Sequence, residues 1–377
     1  MNIFFLHPRH KWQGFLTGQT RGKGETMKEG FKHLYGVVGA PENLNFGPVR
    51  VGNQEDEVYS VTYKELSAVV SNTPFIDYKT MTKDLLVRSL LDHQKVIERV
   101  MDSYATVPFK FGSLARNEKE VKQILAESYS LFKSLLPWVR ERVEFELVAT
   151  WDREKVFKAL YEEESEIRSL QEMIERKSER DALLEKIKLG KLVHQCLTKR
   201  RFHFKDKILS QLKGCPESQC DHDVMDDLMI LNIAFLLRKE MEREFDHRIQ
   251  YLDQTFLGRV SFKVIGPLPL YSFGCIEMEW VSPSEIREAL ALLSLSENTS
   301  SADVRSAYYR KAKSLHPDKT GEPLNSPSEF EKVVKAFHLV DRCYRTYSSL
   351  PNEERILLME VKTNGSNDLG KGNEEEK

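Results

Sequence analysis

The chain has 377 residues, of which 40% are hydrophobic and 30% charged, with a formal net charge of −2. That length accommodates two or three domains with ordinary cores, and the balanced charge excludes a polybasic protein steered as a whole towards nucleic acid. No apolar run approaches the roughly 20 residues of a membrane-spanning helix. Five scattered cysteines suit a reducing compartment better than a disulfide framework.

Residues 1–28 mix Pro8, Gly14, Gly18, Gly22 and Gly24 with basic side chains, and Ile3 to Leu6 is too short for a secretory core. They are expected to be a disordered or misassigned extension, with Met27 just ahead of the first strand-like pattern. His33 to Val38 reads as a strand, and Leu66 to Val70 as another. Leu86, Leu90, His93, Ile97 and Val100 lie on one face of a helix, which makes His93 a hydrogen-bonded core residue rather than a catalyst. Thr106 to Gly112 is extended, and a helix over 118–136 follows, closed by Pro137. Val143, Phe145 and Leu147 alternate with Glu144 and Glu146 as in a half-buried strand. The segment 152–213 is charged and helical, with Ile167, Leu170 and Ile174 on one face, and a further helix is expected over 224–256. Two strands then centre on Phe262 and Met278, separated by Gly266-Pro267 and Pro269. The pattern is α+β. Cys215, Cys220 and His222 lack the second ligand pair of a zinc site and read as a loop.

Near the C-terminus, Ser300 and Asp303 mark a helix start, and Val304, Ala307, Tyr308, Ala312 and Leu315 recur at helical spacing. Arg305, Arg310, Lys311 and Lys313 leave the other face basic. His316-Pro317-Asp318 comes next as a turn, Gly321, Pro323 and Pro327 hold the chain out of helix, and Phe330, Val333, Ala336, Phe337 and Val340 form a second apolar stripe. Pro317 fixes one backbone angle and Asp318 accepts hydrogen bonds at the turn, so His316 is presented in a set place. From about Asn352 onward the Gly-rich, acidic tail is expected to be disordered.

The helical hairpin with its His-Pro-Asp turn resembles the J domain of the DnaJ family. Leu293-Ser294-Leu295 stands where that family ends its first helix, Val304 to Lys319 matches its second helix and turn, and Phe330 to Phe337 keeps its third-helix spacing. Ser294 replaces the usual Gly, and Lys311 a usual apolar residue that would tighten the small core. The rest resembles the gas vesicle protein GvpL/GvpF family over roughly residues 31–281. The resemblance is carried by His33-Leu34-Tyr35-Gly36-Val37-Val38, Leu66 to Ser71, His93 with Val96, Thr106 to Gly112, Leu231-Asn232, Glu244-Phe245-Asp246 and Gly266 to Phe273.

These resemblances imply two α+β domains, residues 29–137 and 138–282, the second ferredoxin-like with long added helices. An all-α J-like domain over 283–350 and a disordered tail over 351–377 complete the chain. They imply a cytoplasmic, gas vesicle-associated accessory protein that engages the hydrophobic shell protein and other gas vesicle proteins. His316, Pro317, Asp318, Arg305, Arg310 and Lys313 would bind a DnaK-type chaperone and stimulate its ATP hydrolysis. Alternatives are a minor wall component with a vestigial J-like tail, or a general co-chaperone. No phosphate loop, zinc-protease helix, nucleophile elbow or paired-carboxylate motif is present, so neither catalysis nor a metal or cofactor is expected, and no nucleic acid or membrane is an expected partner.

Overall fold

The computed structural model describes residues 30–51, 54–74, 81–178, 182–315, 329–347, 350–351 and 353–362. The expected N-terminal extension, the His316-Pro317-Asp318 turn and residues 363–377 lie outside these.

Short β-rich segments build the first lobe. β1 (Phe31–Val38), β2 (Asn45–Val51), β3 (Gln54–Tyr63) and β4 (Leu66–Thr73) precede α1 (Lys83–Met101), β5 (Thr106–Pro108) and β6 (Leu114–Ala115). The strands form one sheet in the order β2-β3-β4-β1-β5, with β6 also on β1. Along β1, alternation interrupted by a bulge at Tyr35, between Leu34 and Gly36, places Tyr35 and Val38 under Val96, Ile97 and Val100 of α1. Leu34 and Val37 face the opposite layer. Gly36 is required where it stands: a Cβ there would lie 2.6 Å from the Thr106 methyl and 2.9 Å from the Val107 carbonyl.

The opposite layer is α2 (Glu118–Glu127) and α3 (Tyr129–Arg140). The single helix expected over 118–136 is thus two, broken at Ser128, and Pro137 sits inside α3 instead of ending it. Proline costs that helix one backbone hydrogen bond, and burial of Leu135, Leu136 and Val139 around it holds the last turn.

The second lobe runs β7 (Arg142–Trp151), α4 (Arg153–Glu163), α5 (Ser165–Glu175), α6 (Leu183–Leu212), β8 (Ser218–Asp221), β9 (Met229–Arg238), α7 (Glu242–Phe256) and β10 (Val260–Leu268). Its sheet order is β10-β7-β9-β8, the ferredoxin-like arrangement of a β-α-β-β-α-β chain. The long helix expected over 224–256 is here a strand followed by a shorter helix. Met229 to Leu237 is apolar apart from Asn232, and every residue of it is buried. In a central strand covered on both faces such a run is favoured: Phe235 and Ile233 face α7, whereas Ala234 and Leu236 face the first lobe.

β11 (Cys275–Val281) leaves this lobe and joins the first. Its Ile276 bridges Phe109, and the Lys110 amide donates to the Ile276 carbonyl at 2.8 Å. Among the described residues, the helices α8 (Pro283–Leu292), α9 (Ser301–Leu315) and α10 (Glu329–Tyr347) come next, and then β12 (Ile356–Lys362), antiparallel to β11 from Val281↔Ile356 to Cys275↔Lys362. A tail without regular structure is expected from residue 351, yet Ile356 to Leu358 are buried in a strand. Four consecutive apolar residues find a ready edge on β11, and edge pairing outweighs the polar composition of the residues beyond them. The helical module is therefore inserted between two paired strands.

Candidate functional site

Local sequence sets each helix of the module. Ser282 and Glu285 form a reciprocal capping box, with the Ser282 amide donating to Glu285 at 2.7 Å and Pro283 in the first turn. α8 ends at Ser294, whose φ of 59° is left-handed, and the Leu295 amide closes back on the Leu290 carbonyl at 2.9 Å. Glycine serves such a cap without strain, which gives the usual Gly of that position a physical reason. The predicted start of α9 is present: the Ser300 amide donates to Asp303, and the Asp303 amide to the Ser300 hydroxyl, both at 3.2 Å. Those bonds from Ser300, with the nearby Arg310 charge, hold the Asp303 carboxyl below its ordinary range.

The helices close on a small core of Ile286, Leu290, Val304, Ala307, Val333, Ala336, Val340 and Cys343. Tyr308 stacks on Phe337 at 4.2 Å between ring centres, tying α9 to α10. Lys311 does not loosen this core: it is half-exposed, and its ammonium donates to the Leu292 carbonyl at the end of α8. A long side chain can pack its stem and keep its charge at a polar group.

Arg305, Arg310 and Lys313 are all exposed on α9. Arg305 lies 3.7 Å from Asp341 of α10, a carboxylate that is itself buried and also pairs with Arg345. The basic face is thus fixed at Arg305 and Lys311 and open at Arg310 and Lys313. The turn residues His316, Pro317 and Asp318, the other half of this expected site, lie outside the described residues.

Residues of the body do other work. His93 is buried, its Nδ1 2.9 Å from Nε2 of His33 and its Nε2 3.1 Å from the Phe109 carbonyl oxygen. Burial lowers His93 to about 4 against the raising effect of that carbonyl, and lowers His33 well below the usual imidazole range. The expected core role is what the geometry gives it.

The segment Gly266 to Phe273 has an equally physical meaning. Gly266 passes Phe145 so closely that a Cβ would lie 2.4 Å from its ring. Ser272 donates both its amide and its hydroxyl to buried Glu144, each at 2.8 Å. His222 joins from the other side, 3.4 Å from the Ser272 hydroxyl and 3.0 Å from Glu146. Burial raises Glu144 to about 7, opposed by the Ser272 donors, while the Cys220 side chain and Glu146 raise His222 to about 9. This Ser-His-carboxylate set does not seat a base on a nucleophile: the Ser272 hydroxyl donates to Glu144 at 2.8 Å, whereas the His222 ring nitrogen stands 3.4 Å away. Cys215, buried, and Cys220 form no disulfide, and no group of three metal-ligating side chains occurs among the described residues.

Sequence reasoning missed Arg342 and Arg355. Arg342 of α10 pairs with Glu279 of β11 at 2.8 Å, and Arg355 lies 4.4 Å from the Trp280 ring centre and 3.4 Å from Glu120 of α2. Only the aliphatic run after Arg355 could have signalled that a strand was present for them to brace.

Fold and site together define a two-lobed α+β scaffold that carries an inserted helical module with a basic face. A profile described as "Gas vesicle synthesis protein GvpL/GvpF" matches residues 32–274, and one for the DnaJ domain matches residues 289–342. The chain belongs to the GvpL/GvpF family and carries a DnaJ domain. Gas vesicle protein F of Microcystis aeruginosa is 26% identical over 251 residues, covering 64% of this chain and 96% of that protein. Gas vesicle protein F of a Streptomyces species is 26% identical over 255 residues, with 64% and 98% covered. Among solved structures, the gas vesicle protein GvpF from Anabaena sp. superposes with a TM-score of 0.50 at 22% identity, covering 64% of this chain and 97% of that one. The fold is shared. No helix among the described residues is long and apolar enough to cross a membrane.

Proposed function

We propose that this protein is a gas vesicle assembly factor whose body engages the shell protein or the nascent vesicle and whose DnaJ module recruits a DnaK-type chaperone to the same place. The observation that carries the reading is the union, in one chain, of a GvpL/GvpF body with a DnaJ module whose basic second helix is exposed. Tethering raises the local concentration of the chaperone around subunits that expose an apolar face before assembly. Positive charge on Arg305, Arg310 and Lys313 speeds encounter with an acidic partner surface. His316, Pro317 and Asp318 are the residues that would trigger the partner's ATP hydrolysis.

The body offers an apolar surface suited to a hydrophobic subunit. Leu183, Leu184 and Ile187, in the first turns of α6, are 60%, 68% and 47% exposed. Single exposed aliphatic residues are ordinary, whereas three on neighbouring turns mark a contact surface.

Steady-state ATP turnover by a purified DnaK-type chaperone tests the first part. The full chain should stimulate it severalfold and His316→Gln should not, with far-UV circular dichroism unchanged. Retained stimulation by the variant would reject the role of the turn. Co-purification of the shell protein with the full chain tests the second part. Its loss in Leu184→Glu/Ile187→Glu is expected, and undiminished capture would move the contact elsewhere.

A further inference from the structure

We propose that β12 is a latch that fixes the DnaJ module to the body, so that a chaperone docked on α9 is held in one orientation relative to the body's own partner. The orientation half rests on the chaperone docking proposed above; the latch itself does not. The last part of α10, β12 and the residues between them lie C-terminal to both matched regions, 32–274 and 289–342. Neither family accounts for them, although they join the two.

β11 and β12 form a ribbon with two apolar faces. Ile276, Trp280 and Leu357 are buried on the body side with Met278, Met359 and Val361 beside them, whereas Val281, Ile356 and Leu358 are buried in the module core. Alternation along each strand produces this division. One ribbon is thus shared by two cores, and neither can turn away without exposing it.

Polar contacts act in the same sense. Arg342 of α10 reaches both strands of the ribbon, 2.8 Å from Glu279 and 3.6 Å from Glu360. Tyr347 donates to the Leu357 carbonyl at 2.7 Å. From the body, the Trp280 indole donates to the Leu114 carbonyl at 3.2 Å, and Arg355 ties β12's entry to buried Glu120. Only Ser282 separates β11 from α8, and it is engaged as the helix cap. Domains swing when the interface is small and the linker free. Here the module is attached at both ends, and the α9 cations remain exposed.

Pulsed dipolar spectroscopy reads the latch without any chaperone. In a Cys220→Ser background, spin labels at Lys122→Cys on α2 and Ser306→Cys on α9 should give a single narrow distance distribution. Adding Met359→Asp/Val361→Asp should broaden it at least about twofold as the interface is lost. A broad distribution in the parent, or an unchanged width in the variant, would overturn the proposal. Hydrogen exchange on the unmutated chain decides independently if the variant fails to fold. The β12 amides that face β11 should be protected as strongly as those of β11, and exchange at the rate of an open chain would refute the latch. Failed ATPase stimulation beside a narrow distribution would reject the chaperone reading and leave the latch standing.

Discussion

Two buried polar clusters give the body opposite responses to pH. Glu144 has its carboxyl raised from 4.5 to about 7 by burial, so the folded form holds a proton that the unfolded form has released between those values. Its contribution is complete below the unfolded value and is lost as pH rises towards 7. His222, raised to about 9, continues the trend between 6.5 and 9. His93, lowered to about 4, works the other way: its contribution is present above 6.5 and is lost as pH falls. Urea midpoints measured from pH 5 to 9 should therefore decline on the alkaline side, and His222→Gln should flatten that limb. Glu144→Gln should remove a falling contribution between pH 5 and 7, on the order of 1–3 kcal/mol, and leave the opposing rise from His93. An unchanged slope in either variant would show that the cluster is not the source.

At the scale of an element, the ends are more revealing than the middles. Ser294 holds α8's cap in a left-handed conformation that glycine adopts freely, so Ser294→Gly should stabilise the module by about 0.5–1 kcal/mol in thermal or denaturant melts. Destabilisation would mean that the Ser294 side chain contributes more than its strain costs. The cap of α9 and the stripes of α9 and α10 were legible because Ser300, Asp303 and the apolar spacing are local signals. β9 was not. Leu231, Phe235 and Arg238 happen to fall at helical intervals, and only the sheet, by covering Ala234 and Phe235 on opposite faces, decides for a strand. Pro137 misled for a related reason, since its cost is offset by neighbours distant in sequence. The exposure of Arg305, Arg310 and Lys313 on α9 was readable from spacing, whereas Arg342 and Arg355 acquire meaning only from strands they meet through the fold.

At the scale of the whole molecule, two families have been joined by insertion rather than by a tether. Ile356, Leu357 and Leu358 are 0%, 4% and 0% exposed, and burying each such side chain is worth about 1.5–3 kcal/mol. Deleting residues 356–362 removes more stabilisation than a small helical module can spare. The truncated chain should lose protease resistance across 283–347 while fragments of the second lobe persist. A module that stays resistant would show that β12 is dispensable for folding. The two lobes themselves, and the ferredoxin-like order of the second, need no such support, because their strands pair within the body.

Insertion between paired strands also has a consequence for birth on the ribosome. The β11–β12 ribbon cannot form when the body's own sequence has emerged, because the partner of β11 is translated only after α8, α9 and α10. Closing so long a loop is slow relative to local helix formation. Until then Val281, which faces the module core, and the open edge of β11 remain uncovered on the nascent chain, so the protein passes through a stage in which it presents the kind of greasy surface that chaperones hold.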